Sequence, residues 1–310
     1  MRRAWLFILA CLLCDTGFSQ TPEVQTFESV REELATIEIQ IALRLYGEAD
    51  DYRAITSLKR WMVLDDTSLS LSLGPLMIGQ IYSRNQQPRL AFENFINASN
   101  VMGGESAEWA TLLALQELCV GAGAWSECDM GLSKVLEQNP KSERRPLILY
   151  LRSLTAVMRA EALVESQVVQ ISDAELRTRA LELVARRQAY DELPFKTPWL
   201  AGTMSAVLPG AGQAYNGRWI DAGLSLVLTG GFGALTWYTW DRWESIPWTV
   251  VLGSITAGFW VGNVVNAVVD SGRINQKLSD DFFRETEKSY WPRIGFDIDQ
   301  ETVQFHWTFQ

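Results

Sequence analysis

The 310-residue chain carries 27 Lys and Arg against 37 Asp and Glu, a net charge of −10, with 47% hydrophobic residues. That balance, with no polybasic run to offset it, argues against nucleic acid as a partner, because such binding neutralises phosphates with Lys and Arg. The charge is unevenly spread: residues 20–195 hold most of it, whereas 198–270 are rich in Gly, Trp, Val and Leu, which predicts a domain boundary near residues 194–198.

Residues 1–19 have the parts of a secretory signal peptide: Arg2 and Arg3, an apolar run over 4–14, and small residues Gly17 and Ser19 before a cut at Gln20. The run is too short to span a bilayer as a mature helix. A rival reading is lipidation at Cys11. Cleavage before Gln20 would remove Cys11 and Cys14 and leave Cys119 and Cys128 as the only thiols, which an oxidising compartment would let pair. Two buried apolar thiols are the alternative.

Residues 20–195 contain a repeat. Gly79, Tyr82, Ala91, Phe95 and Ala98 place small residues where two antiparallel helices would touch and large ones beside them. One period of 37 residues earlier stand Ala42, Leu45, Ala54, Leu58 and Trp61; one period later stand Gln116, Cys119, Cys128, Leu132 and Val135, with Pro140 closing the unit. This spacing resembles the tetratricopeptide (TPR) pattern over roughly residues 28–140, with a longer period and Gln116 at a position that favours Gly or Ala. Residues 145–165 and 172–190 read as capping helices, the second opening on the box Ser172-x-x-Glu175. The expected fold is therefore mainly α: a TPR-like solenoid of helix pairs. A disulfide between Cys119 and Cys128 would staple the turn inside the third repeat. Stacked helix pairs commonly bind peptides or protein segments, or serve only as a spacer.

Residues 196–270 read as a membrane domain. Segments 220–240 and 246–269 are each long and apolar enough to cross a bilayer, and the charged link 241–245 forces a tight hairpin flanked by Trp237, Tyr238, Trp240, Trp243 and Trp248. With an exported N-terminus, the hairpin returns the C-terminus to the same side. Residues 198–216 are apolar but broken at Pro209-Gly210, which favours a re-entrant or interfacial segment over a third span. Ser225, Thr229 and Gly233 form one stripe, and Ser254, Gly258, Gly262 and Asn266 another; they are expected to face each other. Homodimerisation through Gly258 and Gly262 is a competing use. Asn266 is expected to pair with Gln213 or Asn216.

The run Ser205-Ala-Val-Leu-Pro-Gly-Ala-Gly-Gln-Ala-Tyr-Asn-Gly-Arg218, followed by Asn263 and Asn266, resembles small bacterial membrane domains of the TM2 and DUF5683 type with a Leu-Pro-Gly-x-Gly-Gln-x-Tyr-x-Gly-Arg signature. The resemblance covers about residues 198–275. It implies a membrane domain of uncharacterised activity, often following periplasmic helical repeats and in some cases joined to a membrane-insertion factor. The signature positions carried over are Ser205, Pro209, Gly210, Gly212, Gln213, Tyr215, Asn216, Gly217, Arg218 and Asn263. From the residues themselves, Arg218 could meet a lipid phosphate or pair with Asp221. Gly210-x-Gly212 lacks the third glycine and the preceding strand of a dinucleotide loop.

Residues 271–310 form the tail: a polar amphipathic helix over 271–287 ended by Pro292, then a β-hairpin marked by Ile294, Phe296 and Ile298 alternating with polar residues, and by Val303, Phe305, Trp307 and Phe309. The sole histidine, His306, stands on the polar side of a strand without a triad, metal cluster or phosphate loop. No catalytic residue, cofactor or metal is expected. The function expected is a membrane-anchored periplasmic scaffold at the bacterial inner membrane, non-catalytic, which binds envelope proteins or peptides through its repeats and contacts membrane lipid. The alternative is an auxiliary factor for membrane-protein insertion, transport or lipid handling that acts through the membrane domain.

Overall fold

Capping residues and prolines set the helix starts. Helices α1 (Phe27–Gly47), α2 (Asp51–Leu64), α3 (Ser68–Arg84), α4 (Pro88–Val101) and α5 (Gly104–Gln116) follow one another through short links. Asp50 accepts from the Arg53 N–H at the start of α2, Thr67 accepts from the Ser70 N–H at the start of α3, and Pro88 occupies the first turn of α4, where a missing N–H costs nothing. The computed structural model describes residues 27–163, 165–299 and 302–309, so the export segment expected at 1–19 lies outside the described residues.

The chain divides after Glu117 into two compact units. The composition change near 194–198 thus lies inside the second unit, and the division falls within the third expected repeat. In the first unit each helix packs on the next. Ala42, Ala54, Leu58, Ala91, Phe95 and Ala98 are buried in the seams. At the α3–α4 crossing a Cβ on Gly79 would sit 2.7 Å from the Phe95 ring, so the pair approaches this closely only because residue 79 has no side chain.

The second unit contains α6 (Trp125–Gln138), α7 (Arg145–Met158), α8 (Glu165–Val168), α9 (Ala174–Asp191), α10 (Pro198–Val207), α11 (Ala211–Tyr215), α12 (Trp219–Asp241) and α13 (Ile246–Tyr290). Before α6, the π-helical turn Glu117–Gly121 brings Cys119 to Cys128, and the two form a disulfide with Cα atoms 5.5 Å apart. Helix α9 begins one residue later than the box Ser172-x-x-Glu175 implies: Asp173 is the cap, accepting from the Leu176 N–H at 2.9 Å. The carboxylate of Asp173 accepts from a free N–H of the first turn and places negative charge at the helix start, where it is favoured.

Two helices, α12 and α13, are long and apolar enough to cross a membrane. The helix expected over 271–287 is present and continuous with the second apolar segment: α13 runs unbroken for 45 residues. At about 1.5 Å per residue it is roughly 68 Å long, about twice the ~30 Å of a hydrocarbon core. Where the apolar stretch gives way to the polar one, the charges are paired: Asp270 meets Arg218 and, at 3.7 Å, Arg273. The distal half of α13 packs like a soluble helix. Arg186 donates to Thr286 at 3.0 Å and Glu285 at 2.8 Å, and Tyr190 stacks on Phe283. Strands β1 (Arg293–Asp299) and β2 (Thr302–Thr308) then form the antiparallel pair, with Phe296 opposite Phe305. The hairpin is tied down by Phe309, which packs edge-on against Tyr150 and under the Arg179 guanidinium at 3.7 Å.

Candidate functional site

Among the described residues, one place in each unit stands out. In the first unit the outer face of α2 and the α3–α4 turn enclose an open groove of about 880 Å³. Tyr52, Ile55, Val63, Leu64 and Tyr82 supply apolar lining, with Lys59, Arg60, Asn85 and Gln87 among the polar groups. Tyr52 and Val63 are largely exposed, although each is bulky and apolar. The rim is held by ion pairs: Asp51 with Arg84, and Glu38 with Arg60 at 3.5 Å. Asn85 also donates to Asp51. Lys59 has no ion pair among the described residues. Of the repeat positions read from the sequence, Tyr82 alone lines this groove, while Ala42, Ala54, Gly79, Ala91, Phe95 and Ala98 form the packing behind it. Below, Ser83 donates to Glu117 at 2.6 Å; burial still pushes that carboxyl above its usual range, and the serine hydrogen bond only partly offsets it.

The second place is the signature segment. Pro209 and Gly210 turn the chain between α10 and α11, and Gly210 has φ +92°, a left-handed conformation in which a Cβ would collide with the Ala222 carbonyl oxygen. A Cβ on Gly212 would collide with the Ala201 carbonyl oxygen and the Ser205 hydroxyl. From this close approach a chain of hydrogen bonds grows. The Gly212 N–H donates to Ser205 Oγ at 3.0 Å, Ser205 donates to Gln213 Oε1 at 3.1 Å, and Gln213 Nε2 donates to the Asn263 carbonyl at 2.9 Å. Asn216 Nδ2 donates to the Ala267 carbonyl at 2.9 Å and Asn216 Oδ1 accepts from Ser271 at 2.8 Å. The Tyr215 hydroxyl accepts from the Thr197 N–H at 3.1 Å.

Arg218 lies between Asp221, at 2.6 Å, and Asp270. Gly217, with φ +81°, sets the turn before it. The polar run is thus spent on fastening α10 and α11 to α13. Sequence reasoning named most of these side chains but missed Ser271 and Asn275, and it gave Arg218 Asp221 as its carboxylate partner without Asp270. Asn275 clamps the Lys196 backbone, accepting from its N–H at 2.6 Å and donating to its carbonyl at 2.7 Å. Their positions in a helical run, spaced to reach one face, were the available signal.

One expectation fails here. Asn266 pairs with neither Gln213 nor Asn216, because main-chain carbonyls of α13 occupy both amides; Asn266 itself is exposed. The two small-residue stripes do face each other, across a common space instead of in contact. The seam between α12 and α13 runs through Thr239 and Thr249 (3.1 Å), Thr236 and Thr256 (3.1 Å), and the stacked rings of Phe232 and Phe259. Beyond that seam the helices open a groove of about 460 Å³, lined by Ser225, Thr229, Gly258, Gly262, Asn263 and Asn266 among others. His306 lies on the hairpin, 3.5 Å from Asp297 and half-exposed. No protein-family model, no curated protein and no solved structure matches the chain.

Proposed function

We propose that the chain is a non-catalytic docking protein of the bacterial envelope, held in the inner membrane by the α12–α13 hairpin, with its TPR-like repeats outside the cytoplasm. The observation that carries this reading is the groove on α2: a concave surface with exposed Tyr52 and Val63 at its wall and a cation without an ion pair, Lys59, beside them. Such a lining suits an extended protein segment that presents an apolar side chain and a carboxylate. The anchor reading rests on where the apolar surface lies. In each candidate span only 6% of the most apolar window is buried in the protein, so neither is the core helix of a soluble fold. The short α10–α11 pair, docked on α13 through buried polar side chains, is the arrangement a re-entrant segment needs, since its broken backbone must find partners other than lipid.

The signature residues Ser205, Gln213, Tyr215, Asn216 and Arg218 weigh against the membrane domain as the acting part, because their side chains are engaged with one another, with α13 and with the Thr197 backbone. The test is site-specific photo-crosslinking of the full chain in native membranes, with the photoreactive group at position 52 or 63. A discrete partner band at both positions, lost on Lys59→Glu, is the expected result. Equal labelling from an exposed position outside the groove, such as Glu93 on α4, would defeat the docking reading.

A further inference from the structure

The groove between α12 and α13 has a property that packing within one chain leaves unexplained. At its base Asn263 is 6% exposed, and neither Nδ2 nor Oδ1 of its side chain has a hydrogen-bond partner, while its main-chain carbonyl is taken by Gln213. A buried amide without partners is costly in an apolar medium, where no water compensates it. The same helix presents Ser254, Gly258, Gly262 and Asn266 at four-residue spacing, all exposed. A Cβ added at Gly258 or Gly262 would meet nothing within 4 Å, so their small size serves no contact inside the chain.

We infer that this groove and stripe are the self-association face of the protein, closed by α13 of a second copy lying parallel to the first. The inference rests on the membrane reading given above. Asn263 lies seven residues from the Asp270–Arg218 ion pair, about 10 Å further along the helix axis, which is hydrocarbon depth if that ion pair marks the headgroup level. A protein amide, rather than a lipid ester, is the group that reaches there. Every copy inserts with the same orientation. A two-fold axis along the membrane normal therefore sets the stripe against itself in register, and small residues permit the close approach on which helix pairing in lipid depends. An amide is both donor and acceptor, so Asn266 of a second copy at the mouth of the groove is complementary to Asn263 and to its own equivalent.

The experiment is cysteine crosslinking of the full chain in native membranes, with two differently tagged copies expressed together. Ser254→Cys, Gly258→Cys and Gly262→Cys are compared with Gly253→Cys and Val264→Cys, which face Thr236 and Gly202, and with the exposed but off-stripe Val261→Cys. The expected result is a mixed-tag dimer at 254, 258 and 262 and little at the other three. Asn263→Leu should lower the dimer yield about 3- to 10-fold, the strength of one interhelical hydrogen bond in a bilayer. Gly262→Leu, for which the single chain has room, should abolish the dimer while alkaline extraction still leaves the protein in the membrane. Crosslinks without this periodicity, or a product containing one tag and a different protein, overturn the inference. Release of the parent chain by alkaline extraction overturns the membrane reading as well, and is read separately in the same sample.

Discussion

Residues of the same kind sit on opposite sides of the surface in the two halves of this chain. In the first unit Leu58 and Phe95 are buried, and charged side chains such as Arg44 and Glu48 face outward. In α12 the relation is reversed. Ile220 and Val227 are 88% and 70% exposed, whereas Ser205, Gln213 and Ser271 are fully buried in the neighbouring contacts. The difference is the one that the proposed membrane anchor requires. Water rewards burying carbon, and lipid rewards pairing every polar group within the protein.

Two substitutions sharpen that contrast. Phe95→Ala should destabilise the first unit by about 3–5 kcal/mol, because it opens a cavity beside Gly79. Val227→Asp removes no packing to speak of, yet should cost about 2.5–3.5 kcal/mol of membrane insertion. Denaturant unfolding measures the first and the fraction resisting alkaline extraction measures the second. A Val227→Asp chain that remains fully membrane-bound would remove the contrast. A smaller effect is expected at the signature. Gln213→Leu leaves the Asn263 carbonyl without its donor and should cost about 1–3 kcal/mol in thermal unfolding of detergent-solubilised protein. Asn266→Leu, at an exposed position, should leave that unfolding unchanged. Equal losses from the two would show that the hydrogen bonds from Gln213 do not hold the segment.

Much of this was legible in the sequence because it depends on local pattern. The spacing of Gly79, Ala91 and Phe95 marked a helix crossing, and the alternation from Ile294 onward marked the strand pair. What escaped depended on partners distant in sequence. Asp270 stands at the end of the second apolar segment, and spacing alone does not show that Arg218, 52 residues earlier, pairs with it. The facing of Ser254, Gly258 and Gly262 also depends on which turn of α12 meets Thr256, and spacing on one helix does not fix the rotation of the other. The groove on α2 was not read at all, since exposed Tyr52 and Val63 carry no motif and become a surface only when Tyr82 is brought beside them.

The proposed anchor is a hairpin whose link lies on one side of the membrane and whose continuing helix emerges on the other. Labelling with a membrane-impermeant maleimide tests this most directly, using Arg242→Cys in the link and Lys277→Cys in the distal half of α13, against the parent chain as background. Lys277→Cys should label in intact spheroplasts and Arg242→Cys only after permeabilisation. Equal labelling of the two before permeabilisation, or the reverse order, would contradict it.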